Sequence, residues 1–200
     1  MKIKDILTIN NSKNLMVINA KMDTIRFCTE RLTIRQFCEK DADSYFRLLS
    51  HPRVHCFADE KLESIEEAKD QILKKKDRND GSELAVCLKD TDEFIGTLSG
   101  LWEKDTFSVC WNFLPDYCGQ GYAYESARAY LDFLFNQMNA RRIYAYVEDY
   151  NTSSQRLCRK LGMRQEGVFL EYISFVKNPD GTPLYENTMQ FAILKREWNK

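Results

Sequence analysis

Two glycines, Gly119 and Gly121, stand directly before a predicted helix, at a position where phosphate groups can bind. Residues 107–113 before them alternate between apolar and small or polar types, which predicts a half-buried strand. From residue 123 onward, apolar side chains recur at helical spacing. The N–H groups at a helix start have no intrahelical partner, and glycines let a ligand approach them closely. This segment therefore predicts a cradle for a pyrophosphate group.

Two other phosphate-binding turns fit the segment less well. A P-loop needs Lys followed by Ser or Thr after the second glycine, whereas this chain has Tyr122 and Ala123, so an NTPase is not predicted. A dinucleotide-binding turn needs a third glycine, and Tyr124 stands there. Glu148 and Asp149 nevertheless follow the next predicted strand, where a ribose-binding acid can lie. A nicotinamide-dependent oxidoreductase therefore stays open as an alternative.

Residues 118–123 resemble the acetyl-CoA loop of the GNAT superfamily of N-acetyltransferases, written Q/R-x-x-G-x-G/A. Gly121 and Ala123 match the fourth and sixth positions, and Cys118 departs from the first. Further segments are similar to the branch that acetylates the N-termini of ribosomal proteins (RimJ/RimL-like). These segments are residues 30–35, 41–43, 151–154, 161–163 and 166–167. The resemblance covers about residues 24–198.

The resemblance implies an acetyl-CoA-dependent enzyme that transfers the acetyl group directly to a primary amine, without a metal. The acceptor would be a protein N-terminal α-amine, such as that of a ribosomal protein, or a small amine. An α-amine titrates near ~8 and lysine near ~10.4, so the α-amine is the easier nucleophile at pH 7. The site must take a proton from the amine, stabilise an oxyanion and protonate the departing thiolate.

The resemblance also implies which residues bind acetyl-CoA. The backbone at the end of the strand would bind the pantetheine arm where this strand splays from its neighbour, although the side chains there also fit a strand-end core. The loop would bind the pyrophosphate, and the start of a later helix would contribute two polar side chains. The residues are Phe113, Leu114, Cys118, Gly119, Gln120, Gly121, Tyr122, Ala123, Asn151 and Ser154.

Ser154 is the predicted donor to the coenzyme sulfur. It is the one polar member of an apolar helix stripe, and it occupies the serine of the family's N-x-x-S motif. A capping role is the alternative, although Thr152 and Ser153 can also cap this helix. Many family members place a tyrosine one turn later, where this chain has Cys158, which is predicted to pack in the core.

The general base is less well defined by the sequence. Glu171 lies on the strand after the Glu166-Gly167 pair, and Glu103 lies on the strand pair that precedes the predicted cradle. Both also fit the description of solvated strand glutamates, and deprotonation through ordered water would need no dedicated base. Glu125, in the first turn of the helix after the loop, is predicted to interact with the helix dipole instead.

The elements that must position these residues alternate between strands and helices along the chain. The prediction is an α/β (mixed α+β) GNAT fold with a central mixed, mostly antiparallel sheet of about six to seven strands and about four helices on its faces. The predicted strands are 32–37, 84–88, 94–101, 107–113, 143–147, 168–176 and 188–194. Residues 178–181 supply the turn of a long final hairpin.

Composition favours a compact soluble enzyme. The 29 basic and 30 acidic residues among 200 give no overall attraction to nucleic acid or membrane. Seven cysteines without a C-x-x-C pair, and only two histidines, predict neither a disulfide framework nor a metal site, and they favour the cytoplasm. A monomer or a homodimer is expected.

The domain prediction is a loosely ordered N-terminal extension at 1–23 and an acetyltransferase domain at 24–198. Met22 is an alternative start of the chain. A catalytically silent acyl-CoA-binding or regulatory module, which keeps the cradle without turnover, stays open as a second alternative.

Overall fold

A computed structural model describes residues 25–76 and 80–198, so the predicted extension at 1–23 lies outside the described residues. The strands are β1 (Arg26–Cys28), β2 (Leu32–Arg35), β3 (Glu83–Leu88), β4 (Phe94–Glu103), β5 (Thr106–Phe113), β6 (Arg142–Glu148), β7 (Arg164–Lys177) and β8 (Pro183–Leu194). The α-helices are α1 (Ala42–Leu49), α2 (Ile65–Lys76), α3 (Tyr122–Asn136), α4 (Thr152–Lys160) and the single turn α5 (Lys195–Trp198). Short 3-10 turns cover Glu39–Asp41, His55–Glu60 and Pro115–Tyr117.

The described strands form one mixed sheet in the order β1-β2-β3-β4-β5-β6-β8-β7. Every neighbouring pair is antiparallel except β5 and β6, which confirms the predicted mixed, mostly antiparallel sheet. The sheet has eight strands instead of six to seven because β1 was not predicted. With three residues at the sheet edge, β1 is too short to produce a period-2 signal.

Helices pack on both faces of the sheet, and each face has its own apolar core. On one face, α3 and α4 pack against β5, β6 and β8 through residues such as Leu131, Val147 and Phe191. We call this the helix face. On the other face, α1 and α2 pack against β3 and β4 through residues such as Leu49 and Ile72. The site described below lies where the sheet opens between these two layers.

The sheet opens because β5 and β6 pair over only part of their length. Residues 106–108 of β5 pair with residues 142–144 of β6, and no pairing joins the two strands beyond that point. Strand β5 stays paired with β4 through Phe113, and β6 stays paired with β8 through Glu148. The last five residues of β5 and the last four of β6 therefore border a gap in the sheet.

In the part of the chain that the structure describes, no helix is both long enough and apolar enough to cross a membrane.

Candidate functional site

The gap between β5 and β6 has two sides with different chemistry. Successive residues of a strand point to opposite faces, so Cys110 and Trp111 point away from each other. Trp111 packs on the helix face against the core under α3. Cys110 lines a cavity under α1 on the opposite face. We call this second face the open face.

The glycine loop lies between the end of β5 and the start of α3. Gly119 and Gly121 have φ of +78° and +87°, in the left-handed region that glycine adopts without a Cβ penalty. Gly121 occupies the N-cap position of α3. Within residues 25–76 and 80–198, the N–H groups of residues 119–121 donate to no protein acceptor. Together with the free N–H groups of the first helical turn, they form a row of donors that fits an anion.

A tie between the β1–β2 turn and α3 fixes the position of this loop. Glu125 accepts from Thr29 Oγ1 at 2.6 Å and from Arg31 Nε at 2.7 Å, and Arg31 Nη1 donates to the Gln120 carbonyl at 3.1 Å. Burial alone would raise the pKa of Glu125, but the hydrogen bonds from Thr29 and Arg31 lower it. The ionised Glu125 therefore has a structural partner, in agreement with a non-catalytic role.

A cleft of about 860 Å³ opens beside the loop, between α3 and the ends of α4 and β8. Its lining is of mixed charge: it includes the basic residues Arg31, Arg128 and Lys160 and the acidic residues Glu30, Glu125, Asp132 and Glu197. Lys160 Nζ lies 4.2 Å from the centroid of the Tyr124 ring. The cleft therefore offers individual basic side chains and an aromatic face near the glycine loop, but no uniformly positive surface.

The other predicted loop residues make mainly structural contacts. Phe113 and Leu114 are buried in the two opposite cores, as the strand-end alternative predicted for their side chains. The exposed Cys118 accepts from Arg53, and Gln120 Nε2 donates to the Asp116 carbonyl at 2.8 Å. Tyr122 lies under the Arg31 guanidinium, and Ala123 packs against the core of the helix face. Binding at these positions would therefore use the backbone more than the side chains.

At the start of α4, Asn151 and Ser154 have separate tasks. Asn151 Oδ1 accepts from the backbone N–H of Ser154 at 3.2 Å, so Asn151 caps the helix. The Ser154 hydroxyl instead accepts from the indole N–H of Trp111 at 3.1 Å, across the gap. An indole N–H only donates, so the Ser154 proton remains available for another acceptor. Cys158, one turn later, is buried in the core as predicted, and burial raises the pKa of its thiol to about 12.

The cavity on the open face holds about 170 Å³ and carries two carboxylates. Glu60 and Glu83 line it together with Cys56, Cys110 and apolar residues of α1. Lys75 from α2 forms an ion pair with Glu83. Helix α2 therefore borders this cavity and contributes one positive charge to it.

Two half-buried thiols, Cys56 and Cys110, lie above the gap. The carboxylate of Glu148, the last residue of β6, lies near enough to Cys56 to interact with it electrostatically. Burial raises the pKa of the Cys56 thiol, and burial raises the pKa of Cys110 to about 12, so both thiols stay protonated at neutral pH. Neither thiol is a nucleophile in this environment.

The two predicted bases lie away from Ser154. Glu103 pairs with Thr106 at the closed end of the gap, and its carboxylate accepts from the Tyr144 hydroxyl at 2.9 Å. Thr106 lies five positions before Trp111 in β5, which corresponds to about 17 Å along the strand. Glu103 is therefore remote from the Trp111–Ser154 hydrogen bond. Glu171 is exposed, in an irregular part of β7 where its φ is +46°. A catalytic role for either residue stays a prediction.

The structure brings together a set of residues that the sequence did not single out. His55 Nδ1 contacts the Glu186 carboxylate, and Tyr150 donates to the same carboxylate at 3.4 Å. Burial raises the pKa of Tyr150 to about 12, so its hydroxyl keeps its proton at neutral pH. His55 and Glu186 are 131 positions apart, and no local pattern links them. The one available signal was that His55 is one of only two histidines.

Comparisons with known proteins agree with this architecture. The family model "Acetyltransferase (GNAT) domain" matches residues 31–164. The uncharacterized N-acetyltransferase YnaD of Bacillus subtilis (strain 168) is 35% identical over 173 residues, which cover 86% of this chain and 98% of YnaD.

Solved structures are similar over most of their length as well. A GNAT-family acetyltransferase from Bacillus anthracis is 29% identical, with a TM-score of 0.75, and the match covers 86% of this chain and all of that chain. A ribosomal-protein-S5-alanine acetyltransferase from Vibrio fischeri shares the fold: it is 20% identical with a TM-score of 0.67, and the match covers 87% of this chain and 98% of that chain. A mutant form of the spermidine N-acetyltransferase SpeG from Vibrio cholerae also shares the fold: it is 20% identical with a TM-score of 0.66, and the match covers 85% of this chain and 97% of that chain.

The capping arrangement predicts unequal effects on stability. Asn151→Ala removes the acceptor for the Ser154 N–H and lowers the free energy of unfolding by about 1 kcal/mol. Ser153→Ala, at an exposed position in the same turn, changes it by less than about 0.5 kcal/mol. Urea denaturation of both variants measures the difference. Equal effects of the two substitutions would contradict the assignment of Asn151 as the cap.

Proposed function

The chain belongs to the GNAT family of N-acetyltransferases, and from this premise we propose that it transfers an acetyl group from acetyl-CoA directly to a primary amine. The observation that carries the proposal is the gap between β5 and β6, which is continuous with the glycine loop. The N–H and C=O groups that β5 does not use toward β6 can pair with the amides of the pantetheine arm. The loop donors then face the pyrophosphate.

The coenzyme orientation follows from the positions of charge and of Ser154. The phosphates lie at the glycine loop and extend toward the cleft that Arg128 and Lys160 line. The arm runs into the gap, and its thioester lies near the Trp111–Ser154 hydrogen bond. In this arrangement the Ser154 hydroxyl donates to the coenzyme sulfur and protonates the departing thiolate. No cluster of side chains suited to a metal ion occurs among the described residues, and the proposed transfer uses none.

The acceptor amine approaches from the open face. Coenzyme in the gap leaves that face accessible through the cavity lined by Glu60 and Glu83, and the carboxylates favour a positively charged amine. The small volume of the cavity supports an acceptor with a slender cationic end. Both a small amine and the N-terminus of a protein meet this description. Fold neighbours named for a ribosomal-protein substrate and for spermidine are consistent with either one.

We also propose that the reaction takes place in the cytoplasm. All seven cysteines are free thiols, and two of them, Cys28 and Cys118, are exposed. Exposed unpaired thiols fit a reducing compartment.

Coenzyme binding is tested by thermal shift with acetyl-CoA, CoA, NADH and ATP in parallel. Acetyl-CoA or CoA at about a hundred times its Kd stabilises the fold by roughly 2.7 kcal/mol, which raises Tm by roughly 5–10 °C. Gly121→Asp removes this shift, because it places a side chain and a negative charge where the phosphates bind. Gly181→Asp is the matched control, since Gly181 has a similar φ of +85° in the distant β7–β8 turn.

A shift with NADH alone would instead support the oxidoreductase alternative. An acetyl-CoA shift that survives in a folded Gly121→Asp variant would contradict the cradle. Binding of CoA without acetylation of any amine in a screen would favour the silent module.

Ser154→Ala is expected to lower kcat by about 100-fold, because the departing thiolate loses its proton donor. The Kd for acetyl-CoA stays within about twofold, since the hydroxyl contacts only the sulfur. Steady-state kinetics and calorimetric titration measure the two effects, with Ser153→Ala as the control. Wild-type kcat in Ser154→Ala would assign the hydroxyl a structural role only.

A further inference from the structure

The turn His55–Glu60 lies across the gap on the open face. Cys56 lies near Glu148 at the end of β6, and it lines the same cavity as Cys110 of β5. Both strand residues lie beyond the last β5–β6 pair, so Cys56 spans the separated part of the two strands. Trp111 and Ser154 mark the opposite face of the same gap. Cys56 therefore places this turn beside the cavity through which the acceptor is proposed to approach, and the residue next to Cys56 lies at the edge of that region.

That residue is His55, and its imidazole is held from two directions. Its Nδ1 contacts the Glu186 carboxylate of β8, and its ring lies 5.8 Å from the Tyr150 ring at an interplanar angle of 61°. The backbone N–H of His55 also donates to the Tyr150 hydroxyl oxygen at 3.3 Å. Tyr150 directly precedes the cap residue Asn151, so the same turn positions His55 on one face and Ser154 on the other.

The environments of the two partners suit proton transfer. The Glu186 side chain is 6% exposed and accepts through both oxygens, whereas the His55 side chain is 44% exposed. A carboxylate against Nδ1 selects the tautomer with hydrogen on Nδ1, which leaves the lone pair on Nε2. The same carboxylate stabilises the imidazolium once Nε2 takes a proton. A buried acid that orients a solvent-accessible imidazole is the arrangement that a general base requires.

Three other carboxylates near the gap are less suited to this task. Glu148 is 5% exposed, and Glu103 accepts from the Tyr144 hydroxyl at the closed end of the gap. Glu83 is paired with Lys75. His55 combines a held orientation with access to solvent at the open face.

We propose that His55 is the general base of the acetyl transfer and that Glu186 and Tyr150 are its positioning residues, an inference that rests on the proposed function. Nε2 of His55 takes one proton from the acceptor ammonium, and the freed amine lone pair attacks the thioester carbonyl carbon. The C–N bond forms, the C–S bond breaks, and the second amine proton passes to the thiolate through the Ser154 hydroxyl. The ammonium and acetyl-CoA thus give the amide, the CoA thiol and one proton, which His55 releases to solvent.

The test uses an amine that the wild-type protein acetylates, and it compares His55→Ala, His55→Gln and His51→Ala. His55→Ala lowers kcat/KM for the amine by about 100-fold or more, and added imidazole restores part of the rate. His55→Gln can still donate to Glu186 but lacks a basic nitrogen, so it is as slow as His55→Ala. His51 is the other histidine, exposed in the same loop region, and His51→Ala keeps wild-type kinetics.

The positioning role of Glu186 has its own measurement. Glu186→Gln lowers kcat by about 10- to 100-fold with little change in the KM of the amine, and Glu186→Asp recovers part of the loss.

Wild-type kcat/KM in His55→Ala would overturn the assignment. Wild-type activity in His55→Gln would overturn it as well, because the contact between residue 55 and Glu186 would then have only a structural role. Loss of activity that imidazole does not restore would likewise overturn it. The acetyl-CoA thermal shift stays at the wild-type value in all three histidine variants, because neither histidine is assigned a contact with the coenzyme. Failure of the proposed function is distinguishable, since the wild type itself would then show no shift or no acetylation.

Discussion

The incomplete pairing of β5 with β6 is the constraint on which the rest of the site depends. Two parallel strands separate after three residue pairs, while each stays paired with its outer neighbour. Backbone groups at the edge of the gap need other partners, and a buried N–H or C=O without one is costly. A ligand that carries amides along an extended arm satisfies these groups without any change in the sheet. The gap therefore weakens the sheet and supplies the backbone groups that the proposed coenzyme binding uses.

The two sides of the gap differ in the groups that they offer to a ligand. Beside the glycine loop, a row of backbone N–H groups suits an anion, and the adjacent cleft has a lining of mixed charge. On the open face, carboxylates from three different elements line or border the space above the gap: Glu60, Glu83 and Glu148. In the proposed reaction the anionic donor binds at the loop and the cationic acceptor binds at the carboxylates, which brings the two reactants together at the strands.

The sequence predicted best what depends on neighbours along the chain. The strand, the two positive-φ glycines and α3 form one local unit, and the β7–β8 hairpin is encoded by its own turn residues. Asp41 illustrates the limit of local patterns: it stands at the N-cap position of α1, where an Asp side chain commonly caps the helix, but its carboxylate accepts from the buried Arg35 guanidinium and the Cys38 N–H instead. The Trp111–Ser154 and His55–Glu186 contacts join residues 43 and 131 positions apart, so only the folded chain reveals them.

Hydrogen–deuterium exchange with and without CoA tests the central claim, that the coenzyme occupies the gap between β5 and β6. We expect slower exchange at the amides of residues 109, 111, 113 and 119–123 when CoA binds, because these N–H groups have no partner in β4 and acquire ligand partners. Amides of the β7–β8 turn, which is remote from the gap, serve as the internal reference and do not change. Protection confined to other elements, with the amides of residues 109, 111 and 113 exchanging as fast under saturating CoA as without it, would contradict coenzyme binding in the gap.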